Sequence, residues 1–412
     1  MRKEVVNLKD GIDIRTAAYE KMLERYGEQV PWQILSRFEQ ERILLSDSGF
    51  EMLACLSELQ KAAHEAKSPL TLRGTYPASF IGFLIGASEI NPLPAHYVCP
   101  QCGRVEFTDG VRDGYDLPGK KCSCGADMVG DGHNIPIEVL SRSVLNTASM
   151  ECNITAEFFH TADRIIRDYL GMYYDVVPAQ IDGVEAHPLY ILYPSGQAPQ
   201  TDTDGILRIN SDEYYERGLC RRHVKLIHSD VNDRFETAWR KFGRLPAPAE
   251  FCEEENLRAW TNNFPEDSER QAPAMGESLK AALHSQPLRF STLVQTQGFL
   301  HGTDSWENNG EKLAAQGVDF MDLPADRDSI FLHVMQKHPE AQGLAERVMD
   351  YAYKGKFAHK GMKPETENAL RALGMEPWFM DYCNSVRYLF PKAHSVELAR
   401  QGLMLKWLER HG

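Results

Sequence analysis

Apolar positions recur at helical spacing through the first part of the chain: Leu23, Tyr26, Val30, Ile34, Phe38 and Ile43, then Phe50, Leu53, Leu56 and Leu59. That period predicts helices over residues 13–66, which Ser68-Pro69 stops, because the residue before a proline is pushed out of the α region. Residues 70–79 form a loop rich in small side chains ahead of an apolar stretch at 80–87. Asn91-Pro92-Leu93-Pro94 then reads as extended punctuation. Residues 153–170 read as one amphipathic helix with Phe158, Phe159, Ile165, Ile166 and Tyr169 as its apolar stripe. Residues 189–193 form a short strand, and 205–209 and 223–228 are weaker strands. Pro246, Pro248, Pro265 and Pro273, with the acidic run Glu253-Glu254-Glu255, mark 244–276 as a boundary or exposed connection. Beyond 277, helices alternate with Gly, Pro and Asp turns, and no repeat or low-complexity tract occurs. The expected fold class is α+β and mostly helical, with a small central α/β piece and a helical C-terminal domain.

A length of 412 residues favours two or three domains, and 42% hydrophobic with 25% charged residues is ordinary globular composition. The net charge of −14 gives no support to a whole-protein basic coat. No apolar run approaches the roughly 20 residues of a membrane helix. The start, Met1-Arg2-Lys3-Glu4, has no apolar core of a signal peptide, so a cytoplasmic protein without membrane attachment is expected. Charge is unevenly spread: residues 341–412 hold 11 Lys and Arg against 8 Asp and Glu, which leaves −17 on the first 340. An anionic partner is therefore expected at the C-terminal part, around Lys354-Gly355-Lys356 and His359-Lys360, where the competing reading is a plain solvated helix face.

Five of the nine cysteines stand alone, whereas Cys99, Cys102, Cys122 and Cys124 fall together. A Cys-x-x-Cys pair, 19 intervening residues and a Cys-x-Cys pair can supply the four thiolates of a tetrahedral zinc, with Gly103 and Gly125 turning the chain back after each pair. The short second pair leaves open that His96 or His133 replaces one cysteine. A closed four-ligand site has no position for a substrate, so the zinc is expected to be structural.

The segments Ala87-Ser-Glu-Ile-Asn-Pro-Leu-Pro-Ala-His-Tyr-Val-Cys99, Gly114-Tyr-Asp-Leu-Pro118 and Asp131-Gly-His-Asn-Ile-Pro136 resemble the alpha subunit of bacterial DNA polymerase III, PolC type, a C-family polymerase. His301-Gly-Thr-Asp-Ser-Trp306, Lys354-Gly-Lys356 and Phe390-Pro-Lys-Ala-His394 resemble its fingers. Strong similarity covers 66–138 and 288–412. The resemblance implies a helical part with a remnant of the phosphate-binding loop at 1–90 and a zinc module at 91–138. It further implies a divergent palm-like region at 139–245, a linker at 246–276 and a helical fingers-like domain at 277–412. Arg73, Gly74, Thr75 and Ser79 match the loop that cradles the incoming triphosphate, against a competing surface turn, and Lys392 and His394 match residues near the nucleotide. Lys354 and Lys356 match phosphate contacts to DNA.

The family's palm aspartates do not carry over. Residues 139–150 hold no acid, and the third aspartate's strand reads Lys225-Leu226-Ile227, so a hard cation loses its ligands. Asp202 and Asp204 have the spacing of a rebuilt pair but sit at an Asp-Gly turn, and Asp230 and Asp233 read as caps of a helix. The expectation is a degenerate palm with no catalytic residues: a pseudoenzyme that keeps zinc and binds DNA or a replication protein. The alternative is an active, truncated DNA-directed DNA polymerase with rearranged carboxylates.

Overall fold

The computed structural model describes residues 13–74, 76–140, 148–183, 187–262 and 275–411. The chain divides between Leu245 and Pro246 into two compact units.

The first unit opens with three helices, α1 (Ile14–Tyr26), α2 (Trp32–Leu44) and α3 (Asp47–Ala66). Each start is explained locally: Asp13 and Ser46 accept from backbone N–H groups of the first turns of α1 and α3, and α2 follows Pro31. β1 (Thr71–Leu72) and the short α4 (Phe80–Leu84) come next. A small antiparallel sheet follows, made of β2 (His96–Val98), β3 (Val105–Phe107), β4 (Lys120–Lys121) and β5 (Asp127–Asp131) in the order β3-β2-β5-β4. The larger sheet takes β6 (Met150–Ile154), β7 (Tyr174–Ile181), β8 (Leu189–Pro194), β9 (Leu207–Ile209) and β10 (His223–His228), with α5 (Phe159–Leu170), α6 (Ser211–Glu216) and α7 (Asp230–Phe242) between or after them. Its order is β1-β6-β10-β8-β7-β9. β6 and β10 run parallel at its centre, with Cys152 beside Leu226 and Asn153 beside Ile227. Cys152 and Leu226 are fully buried.

Two readings change here. Residues 153–170 are not one helix: the chain is extended through Ile154 and turns helical at Phe159. Alternation of buried Met150, Cys152 and Ile154, together with pairing to both β1 and β10, overrides the helical period that continues downstream. β7 was not foreseen, and Pro178 inside it disguises the strand.

The second unit is helical among the described residues: α8 (Pro248–Phe251), α9 (Glu254–Asn262), α10 (Glu277–His284), α11 (Phe290–His301), α12 (Glu311–Ala315), α13 (Arg327–Lys337), α14 (Gln342–Ala352), α15 (Lys356–Lys360), α16 (Pro364–Ala372), α17 (Pro377–Ser385) and α18 (Lys392–His411). α18 is the central rod, with 0% exposure at Ala393, Val396, Leu398, Ala399 and Leu403, and it packs against α8, α9, α11 and α13. Residues 248–262, expected to be exposed connection, are helices whose Phe251, Leu257 and Trp260 are buried. The residues that suggested a connection are helix-start signals: Pro248 occupies the first turn of α8, and Glu254 and Glu255 that of α9.

Candidate metal centre and nucleic-acid surface

Each cysteine pair sits on a tight turn of the small sheet. After β2, Cys99 N–H donates to Arg104 O at 2.9 Å and Gly103 N–H to Cys99 O at 3.0 Å; before β5, Cys122 N–H donates to Ala126 O at 2.8 Å and Gly125 N–H to Cys122 O at 2.9 Å. Gly103 has a φ of 71°, and a Cβ there would lie 2.6 Å from Gly27 N, so the first turn needs a glycine twice over. The four sulfurs converge, with Cys99 Sγ 3.5 Å from Cys124 Sγ and Cys102 Sγ 3.7 Å from Cys122 Sγ. Sulfurs about 2.3 Å from a tetrahedral zinc stand roughly 3.8 Å apart, so these residues fit that ion. A backbone N–H from Cys124, acting against burial, lowers the Cys122 thiol to about 6. Against an N–H from Arg104, the neighbouring Cys99 pushes the Cys102 thiol up to about 12, so the sulfurs share hydrogen bonds and do not all ionise alike.

Neither histidine belongs to the set. His96 Nδ1 lies 2.7 Å from Pro94 O, and His133 Nδ1 lies 2.8 Å from Asp113 Oδ2 with both side chains buried. They join a polar network that fastens the module to α1: Arg25 reaches Asp131 at 2.5 Å, and Asn91 donates to Asp131 at 2.8 Å and to the Tyr26 hydroxyl at 3.1 Å. Burial pushes the Asp131 carboxyl up, but Arg25, His96 and Asn91 outweigh it and hold the group well below the usual carboxylate range.

The loop after β1 takes its partners from within the unit. Arg73 N–H donates to Glu151 O, and its guanidinium lies 3.6 Å from the Glu151 carboxylate, which also meets His223 at 3.4 Å. Gly74 is left-handed with a φ of 79°, and Thr75 lies outside the described residues. Ser79 is fully buried and caps α4, donating to Glu41 at 2.9 Å. Glu41 accepts from Phe80 and Ile81 N–H as well and pairs with Arg37 at 2.7 Å. The positive end of α4 thus already has an anion, an internal one.

Alternation along the paired strands puts Glu151, Asn153, Lys225 and Ile227 on one face of the large sheet. The strand beside Lys225-Leu226-Ile227 is 150–154, beyond all but the last residue of the stretch 139–150, of which 141–147 lie outside the described residues. Glu151 falls between the acid-free stretch 139–150 and the helix expected over 153–170, so neither expectation singles it out. Asp202 and Asp204 are exposed and both bound by Arg208, at 2.7 and 3.0 Å. They precede β9, three strands from β10, which at about 4.8 Å per strand is roughly 14 Å. Asp230 and Asp233 do not cap α7; Ser229 does, accepting from Asn232 N–H. Asp233 Oδ2 instead lies 2.6 Å from His228 Nε2, and with Asp230 these form a second group able to meet a cation.

In the second unit, His394 is buried and stacked on Phe390, while Lys392 is half-buried with its N–H donating to Asp328 at 3.1 Å. Lys354 and Lys356 are exposed, and their ammonium groups lie 5.1 and 4.7 Å from the ring centres of Tyr353 and Tyr351.

Among its described residues the chain is mixed α/β and brings four cysteines together. No family model matches it. It is similar to PolC-type DNA polymerase III: 25% identical to that of Staphylococcus haemolyticus (strain JCSC1435), with 97% of this chain and 32% of that protein covered. The PolC-type enzyme of Bacillus subtilis (strain 168) is 24% identical over the same shares, and that of Thermotoga petrophila (strain ATCC BAA-488 / DSM 13995 / JCM 10881 / RKU-1) 25% identical over 97% and 34%. The chain spans about a third of the length of the curated relatives it matches, and the similarity runs through the regions between the quoted motifs as well. No helix among the described residues is long and apolar enough to cross a membrane.

Proposed function

We propose that this chain is a degenerate PolC-like protein: a palm-like unit stabilised by structural zinc at Cys99, Cys102, Cys122 and Cys124, joined to a fingers-like unit that binds nucleic acid without incorporating nucleotides. The observation that carries the loss of catalysis is the face shared by β6 and β10. Two-metal phosphoryl transfer holds its ions about 3.5–4 Å apart on converging carboxylates. Of Glu151, Asn153, Lys225 and Ile227, only Glu151 is acidic, and it is engaged by Arg73 and His223. Asp202 and Asp204 do not restore the pair, since they lie toward the far edge of the sheet, where Arg208 bridges both and one negative charge is left over.

Zinc here supplies no reaction step; the four thiolates would hold it, and it would fix the two turns. Lys354 and Lys356 are the phosphate-positioning residues of this reading, and DNA or another replication component is the partner class. Primer extension with Mg²⁺ or Mn²⁺ tests the proposal: no incorporation above background is expected. Extension abolished by Glu151→Ala, Asp202→Ala or Asp204→Ala would overturn it and install that residue as a metal ligand.

A further inference from the structure

We infer that the turn joining α14 to α15 is a binding site for single-stranded nucleic acid, gripped through aromatic rings as well as phosphates; the inference rests on the nucleic-acid reading above and narrows its ligand. Three segments build the site. The turn carries Tyr351, Tyr353, Lys354 and Lys356 around Gly355, whose φ is 64° and whose added Cβ would lie 2.5 Å from Arg387 O. That contact and a Leu389 N–H bond to Tyr353 O at 3.1 Å clamp the turn onto the chain around Tyr388. Tyr388 is paired in turn with Thr303, so the surface is tied at both ends.

Tyr351 and Tyr388 are partly open, at 37% and 38% exposure, and each is steadied by a buried or half-buried phenyl ring, Tyr351 stacked on Phe357 and Tyr388 edge-on to Phe390. Beside them stand Lys354, Lys356 and Arg387, all exposed. Arg387 is paired with Asp304, but no carboxylate pairs with either lysine among the described residues. Each ammonium group instead faces an aromatic ring, with Lys356 over Tyr351 and Lys354 over Tyr353. A weakly held cation over a ring is readily exchanged: a base takes the ring face and the ammonium swings out to the adjoining phosphate. Duplex DNA offers the same phosphates but keeps its base faces stacked inside, so this pairing of open tyrosines with uncompensated lysines fits an unpaired strand.

The test is fluorescence anisotropy of the full chain with a labelled oligo-dT of about 15 nucleotides, oligo-rU of equal length, and a blunt duplex, over a salt series. Single strands of either sugar are expected to bind more tightly than the duplex. Tyr351→Ala and Tyr388→Ala should each weaken oligo-dT binding about 5-fold or more without changing the slope of log K against log salt. Tyr351→Phe and Tyr388→Phe should retain parental affinity, which separates a lost ring from a damaged fold. Lys354→Gln and Lys356→Gln should each flatten the slope by about 0.7. Tighter binding to the duplex, or parental affinity in both alanine variants, would overturn the single-strand site while flattened slopes in the lysine variants left the broader reading standing. Unchanged slopes in the lysine variants would remove both.

Discussion

At the residue scale, buried charges here are spent on construction. Glu41 is 0% exposed yet receives the Ser79 hydroxyl, two backbone N–H groups and the Arg37 guanidinium, and Arg37 itself donates to Ile135 O and Ala78 O. Glu41→Gln keeps the shape but strands Arg37 as an uncompensated buried cation, a change that typically costs about 3–5 kcal/mol. Urea unfolding should show that loss as a lower midpoint at unchanged m-value; a midpoint equal to the parent's would mean that Arg37 finds water or another acceptor. Ser79 illustrates what a motif leaves open. Its place in a small-residue loop is plain in sequence, but whether its hydroxyl faces a ligand or Glu41, 38 positions earlier, depends on how α2 packs against α4.

At the element scale, the helices of 13–66 were readable, whereas the starts of α8 and α9 and the strands β6 and β7 were not. Asp326 caps α13, accepting from Ser329 N–H and Oγ, and is buried beside Asp328. Burial first, and the Asp328 charge second, raise its carboxyl to about 6. Because that lies above the roughly 3.9 of an unfolded aspartate, the folded chain binds more protons between these values. The group's stabilisation is therefore complete below about pH 4 and lost as pH rises through about 6, on the order of 1–3 kcal/mol. Asp326→Asn keeps an acceptor at the cap. Its unfolding free energy should lack this decline between about pH 4 and 6, as denaturant titrations across that range would reveal; an unaltered pH profile would mean that Asp326 is not the source of the decline. β6 escaped the sequence because its five residues of apolar–polar alternation carry less pattern than the amphipathic helix that follows. Only its two neighbours in the sheet, one antiparallel and one parallel, define it.

At the scale of the whole molecule, the four cysteines that could hold a metal all belong to the first unit, so the proposed zinc should stabilise that unit alone. Metal analysis should find about one zinc per chain. Chelation, or Cys99→Ser or Cys122→Ser, should remove it and raise amide exchange chiefly over residues 91–138, because binding free energy at such a site is folding free energy. The α11 and α18 amides of the second unit should stay protected. Equal loss of protection in both units would show that the metal supports the entire chain, and no zinc in protein purified without chelator would remove the site altogether.

The sequence by itself determined the cysteine cluster, the helices over 13–66, the helical part beyond 277 and the likeness to PolC-type polymerases, since each rests on local spacing or on runs of identity. Only the tertiary structure decided that four sulfurs meet while His96 and His133 turn to Pro94 and Asp113. It alone placed Glu151 against Arg73, Asn153 beside Ile227, and Lys354 and Lys356 on tyrosine rings. The physical reason is range. Periodicity and capping are set within a few residues, whereas a side chain's charge partner comes from whichever strand or helix the fold brings beside it, and that choice is made by packing across tens of positions.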